Sequence, residues 1–152
     1  MKETTLCYIE KSGSYLMLLR NKKREDPNEG KWIGVGGKLE EGETPEECLC
    51  REVREETGVT LTSYRKRGCI LFRSDVWENE LMHLYTASGY EGEILTDCEE
   101  GSLKWIPLEE IPALNLWEGD RIFLERLMRG LDDIVLTLVY EGEKLVKAEE
   151  NM

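Results

Sequence analysis

At 152 residues, with 40% apolar and 34% charged, the chain is long enough to bury a core of its own and too apolar to stay unfolded. Acids outnumber bases 32 to 20, for a net charge of −12 and a pI near 4.7. That balance argues against a general nucleic-acid binder, which needs a basic face, and against electrostatic docking on an anionic membrane.

No repeat, low-complexity stretch or linker divides the sequence, so residues 1–152 are expected to form a single domain. Residues 4–9 and 15–20 read as strands joined by the turn cluster Lys11-Ser12-Gly13-Ser14. Residues 21–31 are polar and carry Pro27 and Gly30, the composition of a loop. Residues 32–35 form a short strand candidate, after which Gly34, Gly36 and Gly37 are expected to break regular structure. The next helix is marked at both ends. Thr44 suits the N-cap, Pro45 the first helical position, Glu47 completes a capping box, and Gly58 follows Thr57 as the stop. Residues 61–73 and 80–90 read as paired strands, and 103–107 as another. A second helix is predicted over 117–129, with Ile122, Leu124, Leu127, Met128 and Leu131 as its apolar positions. Residues 134–140 and 144–148 form a closing hairpin around Glu141-Gly142-Glu143. Strands surrounding two helices on one small sheet give a mixed α/β class.

Cys7, Cys48, Cys50, Cys69 and Cys98 are odd in number and contain no C-x-x-C pair, so they are expected to be reduced thiols, mostly small core residues. The first residues lack the apolar segment of a signal peptide, and the longest apolar-rich run, 134–140, is far too short to span a membrane. A cytoplasmic location is the expectation.

The chemistry is concentrated in residues 37–59. Glu52, Glu55 and Glu56 fall at i, i+3 and i+4 and share one helical face, where like charges repel. A divalent cation removes that penalty and would also offset the negative field before a phosphate substrate; carboxylate oxygens suit Mg²⁺ or Mn²⁺. Glu43 lies just before the helix, within reach of the same cluster. Arg51 stands one turn from Glu47 and Glu55, and its fork can fix a carboxylate in one orientation. Gly36 and Gly37 allow close backbone approach, and Lys38 follows with a point charge suited to a phosphate. An acidic patch in so acidic a chain is ordinarily solvated surface. The complete spacing is not ordinary, since its fixed positions would match by chance roughly 6 × 10⁻⁵ times over the chain.

Residues 37–59 resemble a complete Nudix box, G-x5-E-x7-R-E-U-x-E-E-x-G-U with U apolar, and no fixed position departs from it. The resemblance extends to Gly30-Lys31-Trp32-Ile33-Gly34-Val35-Gly36-Gly37-Lys38-Leu39-Glu40, to Trp105-Ile106-Pro107 and to Leu116-Trp117-Glu118-Gly119-Asp120, which look like the MutT-type, nucleotide-sanitising branch. It implies an α/β/α sandwich with a mixed sheet and a Nudix loop-helix-loop. It also implies hydrolysis of a nucleoside diphosphate linked to another group, with Mg²⁺ or Mn²⁺ as cofactor. Carried over by position, Glu52, Glu55 and Glu56 would be metal ligands. Glu52 would also orient or deprotonate the attacking water, Arg51 would position Glu52, and Glu43 would be an accessory acid. Glu100 would be a further acidic ligand from a later loop, with Glu99 its competitor. Lys38, with Lys22, Lys23 or Arg24, would hold phosphates.

The same resemblance assigns base recognition to Trp32, Ile33, Phe72, Trp117 and Asp120, beside the backbone of Gly36 and Gly37. Two positions depart from the animal relatives: Ile33 stands where they carry Asn, and Gly119-Asp120 where they carry adjacent Asp residues. The implied substrate is an oxidised purine triphosphate such as 8-oxo-dGTP. The alternatives are another nucleoside diphosphate-linked compound or a non-catalytic nucleotide sensor. His83 is expected to be structural. The expected partner is a small nucleotide, with no stable nucleic-acid complex and no membrane, for a monomer or homodimer.

Overall fold

In strand β1 (Lys2–Lys11) the run Leu6-Cys7-Tyr8-Ile9 is apolar at every position because both faces of its sheet are covered. Leu6 and Tyr8 point into one core, and Cys7 and Ile9 into another. Strand β2 (Ser14–Arg20) divides in the same way, Tyr15 and Met17 against Leu16 and Leu18. This is a computed structural model, and it describes residues 1–22 and 26–150.

The chain continues through β3 (Trp32–Ile33), β4 (Val35–Lys38), helix α1 (Pro45–Thr57), β5 (Thr60–Ser74), β6 (Glu80–Glu91) and β7 (Gly101–Pro107). A 3-10 helix (Leu108–Ala113), helix α2 (Glu118–Met128), β8 (Ile134–Glu141) and β9 (Lys144–Glu150) complete it. The larger part of the sheet runs β4-β1-β6-β5-β8-β9; β1 is parallel to β6 and β5 to β8, while the other pairs are antiparallel. β3-β2-β7 form an antiparallel group attached through the β1–β2 hairpin. Helix α1 covers one face through Leu49 and Val53, and α2 covers the other through Phe123, Leu124 and Leu127. The result is an α/β/α sandwich around a mixed sheet.

Helix α1 starts and stops where its sequence signals lie. The Thr44 hydroxyl accepts from the Glu47 amide, the Glu47 carboxylate accepts from the Thr44 amide, and Gly58 takes the left-handed conformation at φ 83°. The glycine stretch departs from expectation. Gly36 and Gly37 belong to β4, where they pair with Leu6 and Thr5 of β1, instead of ending regular structure. The reason is steric: a β-carbon on Gly36 would lie 2.0 Å from the Thr5 carbonyl oxygen. In α2 the central core residue is Phe123, absent from the predicted apolar set, whereas Leu131 lies beyond the helix and is exposed. Cys7 and Cys48 are buried, but Cys50, Cys69 and Cys98 are only partly so; all five are free thiols. Among the described residues no helix is long and apolar enough to cross a membrane.

Candidate active site

Helix α1 presents its polar face toward β4 and the loop before Thr44, and Arg51 is the centre on which the acids converge. Its Nε donates to Glu43 Oε2 at 2.7 Å and its Nη2 to Glu43 Oε1 at 2.9 Å, a bidentate pair. Nη1 donates to Glu52 Oε1 at 2.7 Å and to Glu55 Oε2 at 3.4 Å. Nη2 also reaches the Lys38 carbonyl at 3.1 Å, which ties the helix to the end of β4. The guanidinium hydrogen bonds hold the Glu43 carboxyl down at about 2, with the Glu40 amide contributing.

The other acids are under the opposite pressure. Glu56 is 4% exposed, and burial pushes its carboxyl up to about 8. The Gly36 amide donates to Glu56 Oε2 at 2.8 Å and opposes that shift, while Glu52 and Glu100 add to it. Burial also raises Glu52, Arg51 lowers it, and Glu55 and Glu100 raise it further. Glu52, Glu55, Glu56 and Glu100 therefore share one electrostatic neighbourhood. Gly37 makes room for it, since a β-carbon there would lie 2.4 Å from Glu52 Cδ.

Hard oxygen donors crowded together, Glu52 and Glu56 at the cost of their own ionisation, are the donor set that Mg²⁺ or Mn²⁺ favours. Glu52, Glu55, Glu56 and Glu100 fit such an ion by chemistry. Among the described residues no three acidic, His or Cys side chains are closed to ligand geometry, and Arg51 bonds both Glu52 and Glu55. Lys38 is exposed at the end of β4. Lys22 is held by Asp97 at 3.4 Å and by the Cys98 carbonyl at 3.1 Å; Lys23 and Arg24 lie outside the described residues.

The second half of the site is aromatic. Trp32, Ile33 and Phe72, all half-buried, pack against the α2-side core with Trp117 and Tyr140. The Trp117 ring meets Tyr140 edge-on at 5.4 Å and Trp77 at 5.7 Å, and Phe72 stacks on Tyr140 at 6.4 Å. The Trp117 indole donates to Asn28 Oδ1 at 2.8 Å, and Lys31 Nζ lies 5.0 Å from its ring centroid. Asp120, buried in the first turn of α2, is pushed up to about 8 by burial and then by Glu80, with Lys31 opposing. The segment from Trp32 to Lys38 thus runs from this aromatic cluster to the carboxylates of α1.

Trp77, Tyr140, Lys31 and Asn28 were not singled out by sequence. Trp77 sits in a polar loop and Tyr140 ends an apolar strand, and neither position signals an aromatic cluster until the chain folds. His83 is held between Lys66 and Glu3, each at 2.9 Å.

A mixed sheet between helices, with a capped helix presenting Arg-braced carboxylates to a glycine strand, defines the class of a Nudix hydrolase fold. A family model described as NUDIX domain matches residues 2–127, and the chain belongs to that family. An uncharacterised Nudix hydrolase of Bacillus subtilis, YvcI, is 28% identical over 147 residues, covering 94% of this chain and 89% of its own. The oxidized purine nucleoside triphosphate hydrolase of Danio rerio is 33% identical over 130 residues, covering 84% of this chain and 80% of its own. The crystal structure of a MutT protein from Bacillus halodurans superposes with a TM-score of 0.87 at 26% identity, over 98% of this chain and 97% of that one.

Proposed function

We propose that this Nudix hydrolase is a divalent-metal-dependent nucleoside triphosphate pyrophosphohydrolase acting as a single domain, with oxidised purines such as 8-oxo-dGTP preferred. The observation that carries the reading is the continuity of the two half-sites. The glycine strand that faces the carboxylates, β4, directly follows β3, whose Trp32 and Ile33 pack against the core that also holds Trp117. A base stacked there would place its phosphates along Gly36, Gly37 and Lys38. The similarity to the oxidized purine hydrolase of Danio rerio supports the same substrate class.

In this reading Glu52, Glu55, Glu56 and Glu100 hold Mg²⁺ or Mn²⁺. The ion, when bound, supplies positive charge that screens the phosphate oxygens against an incoming nucleophile. Glu52 orients or deprotonates the attacking water, and Arg51 fixes Glu52 through the 2.7 Å hydrogen bond. Glu43 anchors Arg51 from the other side. Lys38 steadies the phosphates, and Asp120 reads the base edge. Attack in line on phosphorus gives nucleoside monophosphate and pyrophosphate.

The test compares kcat/KM for 8-oxo-dGTP and dGTP with Mg²⁺, following both products. A preference of about tenfold or more, equivalent to about 1.4 kcal/mol in transition-state binding, is expected. Equal, low rates on both would discard the substrate and direct the search to other nucleoside diphosphate-linked compounds.

A further inference from the structure

The aromatic cluster contains a polar group that its apolar surroundings do not require. Tyr140 is 6% exposed, and its ring is fixed by Trp117 on one side and Phe72 on another. A phenylalanine would make the same ring contacts. The hydroxyl is instead directed at the start of α2, where it accepts a hydrogen bond from the Gly119 amide at 2.8 Å. Among the described residues that is the one hydrogen bond the hydroxyl makes, so its proton has no acceptor.

Gly119 is matched to this arrangement. A β-carbon there would lie 2.7 Å from the Tyr140 hydroxyl oxygen and 2.6 Å from Leu138 Cδ1. The bare glycine lets the phenol come up to the helix terminus, next to Asp120. Both intruding groups belong to β8, which lies beyond residues 2–127 where the family model matches. The closing hairpin therefore adds a polar group to an aromatic cluster whose other rings lie within residues 2–127.

A hydroxyl that accepts one hydrogen bond and donates none can still gain a bond to a ligand acceptor. Resting on the purine reading of the pocket, we propose that Tyr140 is a specificity-determining residue whose hydroxyl donates to the 6-oxo group of a bound purine. The protein would then sort 6-oxopurines from 6-aminopurines, because an amino group at that position presents hydrogens and no carbonyl oxygen. The ring would serve any base, and the hydroxyl would choose among them.

The experiment measures binding of dGMP, 8-oxo-dGMP and dAMP to the whole protein and to Tyr140→Phe, by quenching of tryptophan fluorescence. The unmodified protein is expected to bind both oxopurines more tightly than dAMP. In Tyr140→Phe the oxopurines should weaken about five- to tenfold, the size of one neutral hydrogen bond, while dAMP stays within about twofold. Equal weakening of all three nucleotides would make Tyr140 a merely structural support and overturn the inference. An oxopurine preference that survives in Tyr140→Phe, or no preference in the unmodified protein, would overturn it alone, whereas failure of the unmodified protein to bind any of the three would sink the purine reading as well. Should the variant not fold, the monophosphate of 2-aminopurine deoxyriboside, which lacks the 6-oxo group, tests the unmodified protein directly. Binding as weak as that of dAMP supports the inference, and binding as tight as that of dGMP defeats it.

Discussion

Arg51 and Glu52 are adjacent in sequence and do different work in space. Arg51 splits its fork, one edge on Glu43 and one corner on Glu52 and Glu55, so a single planar group sets the directions of three carboxylates. A lysine at this place would keep the charge and lose the fork. Arg51→Lys is therefore expected to lower kcat through a misdirected Glu52, with KM for the nucleotide little changed. Glu52→Gln keeps the shape and one acceptor for Arg51 but removes the base. Its kcat is expected to fall by about 10²–10⁴, the usual worth of general acid–base catalysis, with a melting temperature close to that of the unmodified protein. A near-normal rate with Mg²⁺ would remove Glu52 from the role proposed here.

At the scale of elements, β4 carries the site because two neighbouring glycines make room for two different things. At Gly36 the obstacle to a side chain is the Thr5 backbone, 2.0 Å from the β-carbon position, and backbone in a paired strand cannot move aside. At Gly37 the obstacle is the Glu52 carboxylate, the end of a flexible side chain. Gly36→Ala should therefore break the β1–β4 pairing and lower stability by several kcal/mol, in the range of severe single substitutions. Gly37→Ala should melt within a few degrees of the unmodified protein and still lose most of its activity, because Glu52 is pushed off its place. Comparing thermal melts and kcat for the pair checks this, and a Gly37→Ala protein as active as its parent would refute it. The contrast also explains which parts were legible in sequence. Helix α1 could be read to the residue because Thr44, Glu47 and Gly58 act within one turn of themselves. The carboxylate face followed from helical spacing. The strand character of Gly36 and Gly37 could not be read, because it is imposed by β1, about 30 residues earlier. The aromatic contacts of Trp77 and Tyr140 were illegible for the same reason, being assembled from distant loops and strands by the sheet order.

Across the whole molecule, a chain of net charge −12 keeps two acids, Glu56 and Asp120, buried in its interior, both pushed up to about 8 by burial. A folded-state pKa above the ordinary 4.5 of Glu56 means that its contribution to stability is complete below that value and is lost as pH rises through about 8. Stability in the presence of a chelator should therefore decline from pH 5 to pH 8. Glu56→Gln removes that decline from one of the two acids, since a neutral amide can still accept from the Gly36 amide. At pH 8 in chelator the variant is expected to melt several degrees above the unmodified protein, for a gain of about 1–2 kcal/mol. Millimolar Mg²⁺ should reverse the order. The ion binds the folded unmodified protein and raises its melting temperature by mass action, whereas the variant, lacking the Glu56 carboxylate, should respond weakly and turn over little substrate. Stability would be gained at the cost of the site, the exchange expected where function forces a charge into the interior. A melting profile for Glu56→Gln that parallels the unmodified protein at every pH would show that this carboxyl does not carry the burden assigned to it. An unchanged Mg²⁺ response in the variant would place the ion on the remaining acids.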